Sequence, residues 1–170
     1  MDNLARLLAY EEIRQLAARY ALAMDSRDID ALVGLYVDDV RVGRVGSGRK
    51  QLAAEFTRRL RGVGITILFV GNHVIDIVDE DHATGVVYCK GEIQDKERWI
   101  SQAIQYRDHY ERRQGSWYFV RRRHLLWYGT ERGENPLALA PADWPRSHTG
   151  KGTLPESWET WQRFWAEVGD

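Results

Sequence analysis

A chain of 170 residues, 44% hydrophobic and 29% charged, has the size and composition of one globular domain, burying roughly two-thirds of its unfolded surface. Its formal net charge of −1 leaves no excess of Lys and Arg, which argues against nucleic acid as the main partner. Cys89 is the only cysteine, so an intrachain disulfide is excluded and a cysteine-ligated metal site is not expected.

The opening "MDNLARLLAYEEIRQ" has neither a basic leader nor a continuous apolar run. With no segment of spanning length, a cytoplasmic protein without a membrane partner is expected. From about Leu4 to Met24, apolar residues recur at Ile13, Leu16, Ala17, Tyr20, Ala21 and Met24, the spacing of an amphipathic helix. "DSRDIDALVGLYVDD" reads as a turn and a second short helix. Asp28 is its N-cap, and Ile29, Leu32, Leu35 and Tyr36 form its inner face. "VRVGRVGSGRK" gives a short strand and a glycine-rich turn, and "KQLAAEFTRRLRG" a third helix.

The hydrophobic period then becomes two. Strands are expected at roughly Ile65–Val78, Ala83–Gly91, Ile100–Arg113 and Ser116–Tyr128, with "DEDH" and "RQGS" as hairpin turns. Helices followed by an antiparallel meander indicate an α+β class, with the helices on one face of a curved sheet. Residues 130–170 form a separate tail after the 1–129 domain. This tail is proline-rich and ends in "PESWETWQRFWAEV", a helix carrying Trp158, Trp161 and Trp165. Pro155 is expected close to the first turn of that helix. The tail is expected to dock on the same chain or on a neighbouring subunit.

Strand alternation assigns the side chains to faces. Leu68, Val70, Asn72 and Val74 share one face, with His73 opposite unless a bulge at Gly71 swaps the second half. Val87, Cys89 and Gly91 share a face, as do Ile104, Tyr106, Asp108 and Tyr110. In "WYFVRRRHLLWY", Arg122, His124 and Leu126 face together, away from Arg121 and Arg123. Asp25 and Tyr20, on the inner side of the first helix, suit a general base raised by burial and a neutral hydrogen-bond donor. The competing structural roles are a cap or an Arg27 partner for Asp25, and a core aromatic for Tyr20. An inward Arg122 needs a counterion, and Asp25 and Asp108 are the two carboxylates within reach.

"EEIRQLAARYALAMDSRDIDALVGLYVDDV" and "YRDHYERRQGSWYFVRR" resemble the SnoaL-like branch of the nuclear transport factor 2-like superfamily. Within it they are most similar to the scytalone dehydratase, bile-acid 7α-dehydratase and hexachlorocyclohexane dehydrochlorinase group. The resemblance spans roughly Leu4 to Tyr128. It implies a cone-shaped α+β barrel with a deep apolar pocket, and cofactor-independent elimination or isomerisation. Carried over by position, it implies Asp25 as catalytic carboxylate, Tyr20 as helix tyrosine, Arg122 as pocket arginine and Tyr106 as pocket aromatic. Leu68 stands where these enzymes carry a histidine, which leaves His124 or His73 as replacement. Gly91 and Leu126 replace a further acid and arginine.

The expected catalytic set is thus Asp25, Tyr20, His124 and Arg122. The expected lining is Leu68, Asn72, Cys89, Tyr106 and Leu126. The expected reaction is a cofactor-free, metal-free dehydration or isomerisation of a small apolar cyclic, polyketide- or steroid-like molecule. A non-catalytic pocket protein and a structural subunit of an oxygenase-type assembly are the alternatives. By resemblance a homo-oligomer is expected, a trimer before a dimer.

Overall fold

The computed structural model describes residues 1–44 and 46–167. Val45, in the glycine-rich turn, and Val168, at the end of the expected tail helix, lie outside the described residues. Helix α1 spans Asn3–Ser26 and is capped by Asp2, whose carboxylate accepts from Ala5 N at 2.8 Å. Its buried stripe runs through Ala9, Ile13, Leu16, Ala17, Tyr20 and Ala21. The helix stops where Arg27 takes a left-handed φ of 58°. Asp28 then accepts from Ala31 N at 3.0 Å and starts α2, Ile29–Gly34.

A two-stranded ribbon, β1 (Arg41–Val42) with β2 (Gly46–Ser47), leads into α3, Arg49–Leu60. The main sheet is an antiparallel meander in the order β3 (Thr66–Ile77), β4 (His82–Asp95), β5 (Arg98–Arg113) and β6 (Ser116–Glu131). Helix α1 packs against β3 and β6. The core closes on Ile13, Ala17, Leu32, Val87, Ile104 and Phe119, all at most 3% exposed. Helices on one side of a curved sheet give the cone-shaped α+β fold.

Strand β4 runs four residues beyond the expected Gly91, and β5 begins at Arg98. The hairpin between them turns on Lys96, at φ 58°. "DKER" holds no Gly or Asn, so turn composition does not mark it; pairing with β5 imposes it. The register of β3 shifts between Val70 and His73, which brings His73 and Ile75 inward and turns Asn72 and Val74 outward. Two more shifts, opposite Ala103/Ile104 and His109/Tyr110, re-aim β6. Trp117 and Phe119 therefore point inward with Arg122, although they differ in parity.

The tail passes through a 3₁₀ turn at Pro136–Ala138 and ends in α4, Glu159–Ala166. Helix α4 starts later than its sequence suggests, with Trp158 at the N-cap, so Pro155 falls outside the first turn. Trp161 joins Ile65 and Trp99 in a second apolar cluster, flanked by Trp158, Trp165 and Leu137. The tail thus docks on its own chain. Thr160 Oγ1 fastens it to α1 by donating to Ser26 O at 2.8 Å.

Candidate functional site

Asp25 ends α1 facing β3. Its Oδ1 accepts from Thr66 Oγ1 and its Oδ2 from Leu68 N, both at 2.9 Å. Burial pushes the carboxyl up to about 6, against the pull of these two donors and the nearby Arg27. Arg27 is 2% exposed and makes no ion pair among the described residues. It donates to Thr66 Oγ1 at 2.9 Å, to Met24 O and to Gly64 O, and lies 4.8 Å from the Trp161 ring centre. Burial lowers it to about 10. Thr66 therefore relays the guanidinium to the carboxylate. Period-two spacing from Leu68 places Thr66 on the same face, and that is the signal by which sequence could have found it.

Arg122 answers to a different acid. Its Nε and Nη2 bind Asp108 Oδ1 and Oδ2 at 3.0 and 2.8 Å, with side chains only 3% and 0% exposed. Three rings enclose the guanidinium, those of Tyr106, Tyr20 and Phe119, at 4.3, 4.4 and 4.4 Å. Although burial opposes the charge, Asp108 holds Arg122 protonated, above its ordinary value. Tyr110 OH also donates to Asp108 Oδ2, at 2.9 Å. With its one phenol proton spent there, Tyr110 accepts from His73 Nε2 at 3.1 Å. Burial lowers His73 to about 4. The bulge in β3 thus ties His73 to Tyr110 rather than to Asp25.

Tyr20, Tyr36, Phe56, Tyr106, Arg122 and His124 line a cavity of about 230 Å³ between α1, α3 and β6. Tyr20, Tyr36 and Tyr106 are 7%, 5% and 4% exposed, yet their hydroxyls make no hydrogen bond to any described residue. Burial raises the pKa of all three, and all remain protonated at neutral pH. His124 stands at the rim, edge-on to Tyr106 at 5.5 Å. Partial burial lowers it from 6.5, so it is neutral at pH 7. Asp25 does not line this cavity. A shallower groove of about 510 Å³ adjoins it, sharing Val40, Arg41, Gly43, Val120 and Arg121.

Four expected residues, Tyr20, Tyr106, Arg122 and His124, thus share one cavity, while Asp25 sits apart beside Thr66 and Leu68. Cys89 is buried between the two regions and feels both Asp25 and Arg122; burial pushes its thiol up to about 11. Leu68 packs over Gly91, where a Cβ would come within 3.2 Å of Ile104 and 3.4 Å of Leu68. Asn72 and Leu126 are corrections to the expected lining. Both are exposed: the shift in β3 turns Asn72 outward, whereas Leu126 keeps the register of Arg122 and His124, opposite Ile104, but is 51% exposed beyond the lining of the cavity. Tyr36 and Phe56 were missed. They come from α2's exit and α3, which no strand pattern connects to the sheet. Among the described residues no group of three or more His, Cys, Asp or Glu is placed to hold a metal, and no helix is long and apolar enough to cross a membrane.

Residues 5–123 match the family model described as a SnoaL-like domain. Among solved structures, a type 2 hexachlorocyclohexane dehydrochlorinase (LinA) is 24% identical with a TM-score of 0.69. That match covers 84% of this chain and 99% of the other. The LinA-type3 enzyme from Novosphingobium barchaimii LL02 is 22% identical with a TM-score of 0.70, over 78% and 95% of the two chains. A scytalone dehydratase-like protein from Novosphingobium aromaticivorans DSM 12444 is 19% identical with a TM-score of 0.67, over 79% and 94%. No curated protein matches the chain.

Proposed function

Since the chain belongs to the SnoaL-like domain family, we propose that it is a cofactor-independent lyase or isomerase acting on a small ring compound. The observation that carries this reading is the cavity lined by three largely buried tyrosines whose hydroxyls have no hydrogen-bond partner among the described residues, a buried guanidinium and a neutral imidazole. In the reaction a base takes a proton from a carbon beside a carbonyl. The electron pair moves onto the carbonyl oxygen, to which Tyr20 OH donates while Arg122 stands behind the ring. The enolate then collapses, either expelling a β-hydroxyl that leaves as water with the proton returned by the base, or accepting that proton at another carbon. His124 is the base that lines the cavity. A second assignment gives this role to Asp25, whose carboxyl carries no ion pair and is held near neutrality at about 6.

Turnover of cyclic hydroxy-ketone substrates of one or two rings by wild type, His124→Gln and Asp25→Asn tests the proposal. Loss of at least 100-fold in kcat in one variant identifies the base. Turnover unchanged in both removes acid–base catalysis at this site. Binding without turnover leaves a ligand-carrying protein, the reading favoured by the partners of Asp25 among the described residues, Thr66 and Leu68, with no hydrogen bond to His124. The same proposal includes a homo-oligomer, with a trimer first. The outer sheet face exposes Phe69, Tyr88 and Trp127, the last two in edge contact at 4.8 Å, as a surface for a second copy. Light scattering on the purified chain tests it.

A further inference from the structure

We propose that the natural ligand of the cavity is a ring carboxylate, its ring seated among Tyr20, Phe56 and Tyr106 and its anionic group at the Arg41–Arg121 mouth. This rests on the reading of the cavity as the substrate site and narrows the ligand from an apolar ring to an anionic one.

The argument is a count of donors and acceptors. Among the described residues Glu55 is the only carboxylate lining the cavity, and it is engaged by Arg58 at 2.9 Å and Arg59 at 2.5 Å. Arg122 is satisfied by Asp108. In the adjoining groove Asp39 is taken by Arg113 at 2.6 Å. Arg41 and Arg121, which line both spaces, are paired with no carboxylate among the described residues; Arg41 gives only its Nε, to Gly43 O at 3.3 Å. The three phenols, which make no hydrogen bond to any described residue, add donors deeper in, and the free acceptors among the described lining residues are neutral ones, the His124 ring nitrogen and the phenol oxygens. Arg41 and Arg121 are exposed and hydrated, so a neutral apolar ligand draws nothing from them, whereas an anionic one gains two unpaired cations at the mouth. A ring bearing a carboxylate answers the outer cations and presents its remaining oxygens to the phenols.

The ring part follows from the walls. Tyr20 meets Phe56 edge-on at 6.3 Å and Tyr106 at 5.9 Å, so packed aromatic rings wall the cavity. A volume of about 230 Å³ is below that of drug-sized pockets and suits one or two fused rings.

The test uses 1-naphthoate and its neutral isostere 1-naphthamide. Neither can be eliminated or isomerised, so the result is independent of whether the protein catalyses. Titration calorimetry is expected to show naphthoate binding at least tenfold more tightly than naphthamide. That advantage should shrink as salt rises from 50 to 500 mM. In Arg41→Gln/Arg121→Gln the preference is expected to vanish while naphthamide affinity stays the same. Tyr20→Phe, inside the cavity, is expected to weaken both probes by severalfold. Equal affinity for the two probes, binding of neither, or a preference that survives loss of both arginines overturns the proposal.

Discussion

Arg122 and Asp108 form a two-toothed ion pair with both side chains out of solvent, at 3.0 and 2.8 Å, and this pairing leaves Asp25 with no guanidinium of its own. Sequence reading allowed Arg122 to bind either acid. The choice matters because an ion-paired Asp25 would be too weak a base. Instead, burial dominates and keeps its carboxyl near 6.

Breaking this pair leaves an uncompensated charge in the core. Asp108→Asn is expected to cost about 3 to 5 kcal/mol in stability, measured by urea unfolding. Tyr110→Phe, which removes only one of the donors to Asp108, is expected to cost about 1 kcal/mol.

The raised Asp25 pKa makes a signed statement about pH. Because the folded value of about 6 lies above the ordinary 3.8, the folded state holds the extra proton between those values. The associated stability is present in full below about pH 4 and is lost as pH rises through 6. Asp25→Asn abolishes this loss. The variant is expected to be more stable than wild type at pH 7.5 by about 1 to 3 kcal/mol, with the gap closing near pH 4. Thermal unfolding across that range checks it.

His124 gives an opposite signature in activity. It must be neutral to accept a proton, and partial burial lowers its pKa below 6.5. Under the proposed function, kcat/KM is expected to fall as the pH drops below that value. His124→Gln should lose this acidic limb together with the rate. A limb that persists near pH 6 in the variant points to Asp25.

The tail is an integral part of the fold. Trp161 is 8% exposed and covers both the Ile65–Trp99 cluster and the Arg27 guanidinium. Trp161→Ala is expected to destabilise the chain by about 3 to 5 kcal/mol in denaturant unfolding, with Trp161→Phe recovering part of the loss.

Packing around the ion pair is equally tight at Gly85. A Cβ there would come within 2.9 Å of the Tyr110 ring and 3.1 Å of Val74 O. Gly85→Ala is expected to cost about 1 to 3 kcal/mol by pushing Tyr110 from Asp108, again read by unfolding.

Local pattern carried the element order, the cap at Asp28, and the inward faces of β4 and β5, because helical and strand periodicities are properties of neighbouring residues. Alternation left open which side of β6 faces inward, and it was the family resemblance that brought Tyr20, Tyr106 and Arg122 together as pocket residues. The expected lining failed at Asn72 and Leu126. Parity arguments assume unbroken alternation, which shifts such as that in β3 reverse for Asn72; Leu126 keeps its expected parity, and its exposure is decided by what packs over that end of the strand. Those shifts arise from pairing between strands distant in sequence, so no local pattern announces them. The partner of Arg122, the Thr66 link between Arg27 and Asp25, and the entry of Tyr36 and Phe56 into the cavity were likewise fixed only by packing. Each joins residues that the chain brings together from separate elements, where distance and desolvation, rather than sequence spacing, select among the available partners.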